Sequence, residues 1–246
     1  MTFRKLLFFS LFLFGNLGLL AQEGPDILEA HIKAIGGNER WNKVRSLYME
    51  ATLENEFEVI TLKKWWVRGK SYRQDIRMGG RTVADSTQTY FVIVNGEKGW
   101  KKLPDQKGSN PVPLDSAERQ WYLNDVELLD PLLDDGRSGK RINYLQTEYF
   151  NDKFHHKFQI QYSGSPKLDY AYLDPDDLML VMTVTVDQES ENTRTYSSFT
   201  QHPDGYRYPA EISTARGILR LKKLEFNPTI KPELFNLPAP PKVQGR

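Results

Sequence analysis

The chain has 246 residues, with 33 Lys and Arg set against 32 Asp and Glu, so it has no charge excess with which to grip a phosphate backbone, and general nucleic-acid binding is disfavoured. A composition of 39% hydrophobic and 26% charged residues is that of a globular protein and not of a disordered one. Cysteine is absent, which excludes disulfides, thiolate metal sites, a Cys nucleophile and a lipidated N-terminal Cys.

Met1 to Lys5 is a short basic stretch, and Leu6 to Leu20 is apolar apart from Ser10 and Asn16. The apolar run is shorter than the roughly 20 residues a membrane span needs and ends at Gly18-Leu19-Leu20-Ala21, so residues 1–21 read as a signal peptide cleaved after Ala21. Gln22 stands where a bacterial lipoprotein carries its Cys, so the expected product is soluble in the periplasm, or secreted. Residues 22–246 are expected to form one domain ending in a Pro-rich tail over 228–246.

Pro25 to Ile35 reads as an amphipathic helix, with Leu28, Ile32 and Ile35 on one face, Asp26 and Glu29 near its positive end, and Gly36-Gly37 as its stop. Asn38 caps a further turn bearing Trp41. From Ser46 the period falls to two. Phe57, Val59, Thr61, Lys63, Trp65 and Val67 share one strand face, with Ile60, Leu62 and Trp66 on the other. After a turn at Gly69-Lys70, Tyr72, Gln74, Ile76 and Met78 alternate with Ser71, Arg73, Asp75 and Arg77. Strands follow around Arg81–Ser86 and Thr89–Val94, and Asn95-Gly96 is a strong hairpin signal leading into Lys98–Leu103.

Beyond a loop over Pro104 to Pro113, Asp115 or Ser116 caps a helix expected to run to about Leu133. Leu114, Ala117, Trp121, Leu128 and Leu132 mark its stripe, broadened by Tyr122, Val126 and Leu129, which predicts a helix buried on several sides. It would act as a plug or lid, with Trp121 and Tyr122 touching two walls. Asp134-Asp135-Gly136 ends it and strands resume, among them Phe154–Tyr162, Leu168–Tyr172, Leu180–Val186, Thr193–Gln201, Tyr206–Ile212 and Ile218–Phe226. About ten or eleven short strands at mostly 8–12-residue spacing predict a mainly β (α+β) fold, an antiparallel incomplete barrel with an N-terminal and a central helix.

The chemistry-bearing residues do not assemble into a catalytic centre in sequence. Four histidines are present, His31, His155, His156 and His202, and adjacent His155 and His156 point to opposite faces of a strand, so no metal role is assigned and they read as surface or wall positions. Asp174, Asp176 and Asp177 lack the Gly and distant Glu of a calcium loop and read as a solvated turn. Gly164-Ser165-Pro166 is not a nucleophile elbow, and no Gly-rich loop opens a helix after a strand. Neither enzymatic activity nor a cofactor is therefore expected. What remains is an aromatic-rich sheet, whose apolar face either fills a core or lines a hollow for acyl chains.

Several stretches carry a family resemblance: Ala34-Ile35-Gly36-Gly37 with Trp41 and Ser46-Leu47, then Asn95-Gly96 with Gly99-Trp100, and Tyr172-Leu173-Asp174-Pro175 leading into Leu178–Val184. Tyr206 with Tyr208-Pro209, Leu224-Glu225-Phe226-Asn227-Pro228 and Leu234-Phe235-Asn236-Leu237-Pro238 extend it over nearly all of 22–246. Together they resemble the LolA/LolB superfamily of periplasmic lipoprotein carriers, in particular the LolA-like proteins of Bacteroidota. The resemblance implies an incompletely closed eleven-stranded barrel with helices at its mouth and acyl chains in the hollow, and it transfers no individual ligand residue. The expected function is a periplasmic carrier of acylated or other apolar cargo, a lipoprotein or lipid, working as a monomer between envelope donor and acceptor proteins. A non-catalytic envelope sensor or interaction module, and a hydrolase, are the alternatives. From strand parity the hollow is expected to be lined by Trp65, Tyr72, Phe158, Ile160, Tyr170, Tyr172, Leu180, Met182 and Val184.

Overall fold

The computed structural model describes residues 24–80, 89–103, 110–123, 130–133, 139–162, 168–187 and 190–238. The expected signal segment 1–21, the strand expected at 81–86, the Gly164-Ser165-Pro166 turn and the last residues of the tail lie outside them. Helix α1 spans 24–34, α2 Asn38–Asn42 and α3 Ser116–Leu123, and the tail holds a 3-10 turn at Pro232–Phe235. The strands are β1 (Ser46–Glu54), β2 (Glu58–Val67), β3 (Ser71–Gly80), β4 (Thr89–Asn95), β5 (Lys98–Lys102), β6 (Val112–Pro113) and β7 (Lys140–Phe150). They continue as β8 (Lys153–Tyr162), β9 (Leu168–Leu173), β10 (Leu180–Asp187), β11 (Ser190–Gln201), β12 (Arg207–Thr214) and β13 (Gly217–Phe226).

These thirteen strands form one antiparallel sheet in the order β6-β5-β4-β3-β2-β1-β13-β12-β11-β10-β9-β8-β7. Consecutive strands are neighbours throughout, except that β1 pairs with β13 and the ladder is broken between β6 and β7. The sheet is therefore open, with more strands than the expected ten or eleven and no barrel closure. Both edges are poor pairing partners. β6 has two residues, one of them Pro113 with no N–H to donate, and β7 slips register between Tyr144 and Gln146. The extra count comes from short or divided elements, such as β6 inside the expected loop and the turn at residues 55–57 that separates β1 from β2.

Local chemistry explains the turns. Asn95 pairs with Lys98 across a two-residue loop in which Gly96 takes φ 60°, the left-handed conformation that glycine reaches without strain. Asn151 and Asp152, at φ 48° and 62°, close the β7–β8 hairpin in the same region, where their short polar side chains are tolerated. Asn55 fixes the β1–β2 turn, its Oδ1 accepting the N–H groups of Phe57 and Glu58 at 2.9 and 3.0 Å.

The chain divides into two compact units, one from Met1–Trp41 with Leu129–Pro209 and the other from Asn42–Leu128 with Ala210–Arg246. In the first, α1 buries Ile32, keeps Asp26, Glu29 and Lys33 outside, and ends just before the buried Ile35 and the Gly36-Gly37 stop that the sequence predicts. Trp41 on α2 is buried, donates its indole N–H to the Ile35 carbonyl at 3.2 Å and meets the Tyr206 ring edge-on at 4.9 Å. In the second, α3 opens with a reciprocal capping box. Asp115 Oδ1 accepts the Glu118 N–H at 2.8 Å, and Glu118 Oε2 accepts the Asp115 N–H at 3.1 Å.

The helix expected over 115–133 is corrected by the structure. It is described only as Ser116–Leu123, residues 124–129 lie outside the description, and 130–133 form a turn closed by the Leu133 N–H on the Asp130 carbonyl. The stripe fails as well, because Leu114 precedes the helix and Ala117 is exposed. Trp121 is 63% exposed and packs edge-on against Tyr122, while Tyr122 is half-buried against Tyr72. Trp121 and Tyr122 thus do not bridge two walls.

Candidate apolar binding face

In a pleated sheet, residues directly opposite on neighbouring strands share a face, so the register sorts the second unit's side chains. One row across the sheet reads Phe226, Leu47, Trp66, Tyr72, Val94 and Gly99. It is sealed by α3. The Trp66 indole donates to the Leu123 carbonyl at 2.8 Å, the Tyr72 and Tyr122 rings lie 5.1 Å apart, and a Cβ on Gly99 would sit 2.8 Å from Leu114 Cδ1. The next row, Leu224, Met49, Lys64, Gln74, Val92 and Lys101, is mixed in character. Lys101 in it is tied to Glu118 of α3.

Farther along the same face two rows are apolar and only half-buried. They comprise Leu221, Leu62 and Ile76, then Leu219, Leu53, Ile60 and Met78. Seven apolar side chains on four adjacent strands keep part of their surface accessible, around the buried Ala51 that stands between Leu221 and Leu62. That is an apolar patch of the kind that marks a binding surface, since it lies side by side and is not scattered.

The reverse face of these strands is built differently. Phe235 of the 3-10 turn is buried against Phe91 and Ile93, with Trp65, Val67 and Ile230 packed around them. Arg73 fastens this cover through the Leu234 carbonyl at 2.7 Å while pairing with Asp75 at 2.8 Å. The remainder carries charge. Lys63 pairs with Glu50 at 2.9 Å, and Arg220 bridges Glu54 at 2.7 Å and Glu211 at 2.8 Å. The Tyr48 hydroxyl and the Lys63 ammonium hold the Glu50 carboxyl below its ordinary value. One face of the second unit's sheet is thus apolar and incompletely covered, and the other is covered at one end and ionic at the other.

In the first unit the register gives one face Ile142, Tyr144, His156, Phe158, Ile160, Ala171, Leu173 and Thr183, of which Phe158, Ile160, Ala171 and Leu173 are fully buried. Helix α1 lies against it, since a Cβ on Gly24 would overlap the Tyr144 side chain at 2.3 Å. The other face carries Glu148, His155, Lys157, Tyr172, Tyr170, Met182 and Val184. Here Lys157 pairs with Glu148 at 2.6 Å and lies over the rings of Tyr170 and Tyr172 at 4.7 and 5.2 Å.

The nine residues expected to line one hollow are therefore not brought together. Trp65 and Tyr72 are on opposite faces, because Trp65 pairs with Arg73 and Tyr72 with Trp66. Phe158 and Ile160 share a face with Leu180, whose partner is Leu173, whereas Tyr170, Tyr172, Met182 and Val184 occupy the other. The pairing of Phe158 with Ala171 separates Phe158 and Ile160 from Tyr170 and Tyr172, and the register slip between Leu180 and Met182 separates Leu180 from Met182 and Val184, as a bulge reverses every side chain beyond it. The half-buried lattice of Leu53, Ile60, Leu62, Ile76, Met78, Leu219 and Leu221 was not singled out in sequence. Its signal was loop length. Three residues between Val67 and Ser71 pair equal parities, so Ile60, Leu62 and Trp66 must join Met78, Ile76 and Tyr72.

His155 and His156 do face opposite ways, and among the described residues no group of His, Asp and Glu is disposed to hold a metal ion. The Asp174–Asp177 turn is closed by a cation of the protein's own. Lys153 Nζ lies 3.2 Å from Asp174 Oδ2 and 2.6 Å from Asp176 Oδ2. His31 departs from the expected surface or wall placement and is wholly buried.

No family model matches the sequence, and no curated protein does. Solved structures do match the fold. A LolA superfamily protein from Nitrosomonas europaea aligns with TM-score 0.52 at 12% identity over 87% of this chain and 97% of its own. A domain assigned as an outer membrane lipoprotein-sorting protein from Vibrio parahaemolyticus gives 0.53 at 16% over 88% and 97%. A DUF1329 family protein from Desulfovibrio piger gives 0.54 at 12% over 87% and 97%. The fold of this chain, an open antiparallel sheet, is thus similar to the folds of these three proteins over nearly the whole of each of their chains.

Proposed function

We propose that the protein is a non-catalytic carrier of acyl chains, borne by a lipoprotein or a lipid, and that it works in the periplasm. The observation that carries this reading is the half-buried aliphatic lattice of Leu53, Ile60, Leu62, Ile76, Met78, Leu219 and Leu221 beside a face sealed by α3. Burying a chain of about fourteen methylenes there gains roughly 11 kcal/mol at 0.8 kcal/mol each. Association costs of about 4–15 kcal/mol oppose it, so binding is reversible, and it is net favourable where the cost falls in the lower part of that range. The apolar run at residues 6–20 supports export, and no helix among the described residues is long and apolar enough to cross a membrane. The Vibrio neighbour's assignment to lipoprotein sorting points the same way.

The test is displacement of a fluorescent fatty acid, with native mass spectrometry of the protein purified from a periplasmic extract. Leu62→Asp should weaken binding at least tenfold, because an ionised carboxylate would have to be buried beside the chain. Thr61→Asp, on the same strand but on the other face beside Arg77, should leave binding unchanged. Equal binding by Leu62→Asp and the unsubstituted protein would refute the site, and no binding by either would refute the carrier.

A further inference from the structure

His31 lies in the last turn of α1, fully inaccessible, with both ring nitrogens against oxygen. Nδ1 is 2.7 Å from the Leu178 carbonyl oxygen at hydrogen-bond geometry, and Nε2 is 2.9 Å from Asp130 Oδ2 in an ion-pair contact that is off the line of a hydrogen bond, to a carboxylate that is itself buried. A carbonyl accepts and never donates, and so does an ionised carboxylate. Only the doubly protonated imidazolium gives the carbonyl an N–H and the carboxylate a counter-charge at once. The neutral ring would leave the carboxylate without that charge in a place that water does not reach, where an unpaired polar group is costly.

Three segments meet at this ring. Besides α1, there is the turn at 130–133, in which Asp130 Oδ1 accepts the Leu132 N–H at 2.9 Å. Lys140 Nζ donates to the Pro131 carbonyl at 2.9 Å and to that of Leu133. The third is the β9–β10 connection, where Leu178 takes φ 58° and its N–H donates to the Asp174 carbonyl at 3.0 Å. The other titratable and charged groups around it are committed elsewhere. The Tyr196 hydroxyl is bonded to Thr183 at 3.0 Å with Arg194 beside it, Lys140 serves the turn's carbonyls, Asp174 pairs with Lys153, and Asp177 accepts the Met179 N–H at 2.9 Å.

We propose that His31, Asp130 and the Leu178 carbonyl form a proton-operated clasp for α1. The helix is held on its sheet while the imidazole carries two protons and is loosened when one is lost. Loosening would uncover Ile32 and Ile35 and the sheet face that holds Tyr144. The clasp lies within the first unit and does not depend on the carrier reading.

Burial of the ring disfavours its charge, but Asp130 and the Leu178 carbonyl outweigh that, so the His31 pKa is raised above 6.5. For a raised folded value, the stabilisation is complete below the unfolded pKa and is lost as pH rises through the folded one. The clasp therefore opens on the alkaline side.

The experiment is amide hydrogen exchange on the full chain, corrected for intrinsic rates, between about pH 6 and pH 10, a range spanning the ordinary histidine value upward. Protection of residues 24–35 should fall at least tenfold across the range, while the amides of β2 and β3 stay level. In Asp130→Asn the amide donates to a neutral Nε2, so the helix stays docked and the pH dependence vanishes. His31→Gln, with one donor group, should be less protected and equally flat. Direct titration of the His31 ring by NMR supplies a readout independent of either variant's folding and should give a value above 6.5. A level profile in the unsubstituted protein, a retained slope in Asp130→Asn, or a His31 value below 6.5 would each overturn the clasp.

Discussion

Replacing Trp66 by Phe tests how α3 is seated. Trp66 is 4% exposed and its indole N–H donates to the Leu123 carbonyl, at the last residue described in α3, at 2.8 Å. Phenylalanine keeps most of the apolar contact but withdraws the donor and leaves a buried carbonyl without it, a cost of about 1–3 kcal/mol. The smaller ring also leaves a gap, for a total near 2–4 kcal/mol. With a urea slope of about 2 kcal/mol per molar, the unfolding midpoint should fall by roughly 1–2 M. Trp121→Ala is the matched control. The same residue type, on α3 itself and 63% exposed, it should change stability by less than about 0.5 kcal/mol. Urea titrations followed by far-ultraviolet circular dichroism, which does not depend on tryptophan count, would measure both. If Trp121→Ala cost as much as Trp66→Phe, α3 would be buried on its outer side and the account of its packing would be wrong.

Phe235→Ala should cost about 3–5 kcal/mol in the same titration, because a ring buried against Phe91 and Ile93 leaves a cavity; a loss under about 1 kcal/mol would mean that the tail is not part of the core. Glu50 has a lowered carboxyl pKa, so its contribution is present above the unfolded value and is lost as pH falls through the folded one. Glu50→Gln should accordingly lower the melting temperature near pH 7 and make no difference near pH 2, and an equal effect at both would show that the hydrogen bond from Tyr48 and the Lys63 ion pair do not matter to stability.

Much of the local architecture was legible because it follows from short-range chemistry. The end of α1 comes from Gly36-Gly37, the β4–β5 hairpin from Asn95-Gly96, and the alternation of Ile76 and Met78 with Arg73, Asp75 and Arg77 from the pleat. What failed was anything that required counting across strands. The slip between Leu180 and Met182 leaves no trace in composition, yet it sends Leu180 and Val184 to opposite faces. The helix expected to reach Leu133 shows the complementary failure. Apolar residues at helical spacing over 121–132 suggested continuity, but Asp130 is drawn into a pairing with His31, a contact 99 positions away in the chain that no local window contains.

Each unit must cover an apolar sheet face, and the two do so to different extents. In the first, an eleven-residue helix is pressed close enough to the sheet that Gly24 has no room for a methyl group, and Phe158, Ile160, Ala171 and Leu173 are left without access to solvent. In the second, α3, described over Ser116–Leu123, covers the row of Trp66 and Tyr72 and reaches Lys101 in the next, beyond which Leu62, Ile76, Ile60 and Met78 are half-buried. A sheet face selected only for stability would gain from covering these side chains, at roughly 25 cal/mol for each square ångström removed from water. Their incomplete burial, next to a face that the same chain fastens down with a capping box, an indole hydrogen bond and an ion pair, is what a surface kept for an apolar ligand requires. The first unit's filled face has no such vacancy, which is why the proposed acyl-chain site is the lattice of Leu53, Ile60, Leu62, Ile76, Met78, Leu219 and Leu221 and not the face of Phe158 and Ile160.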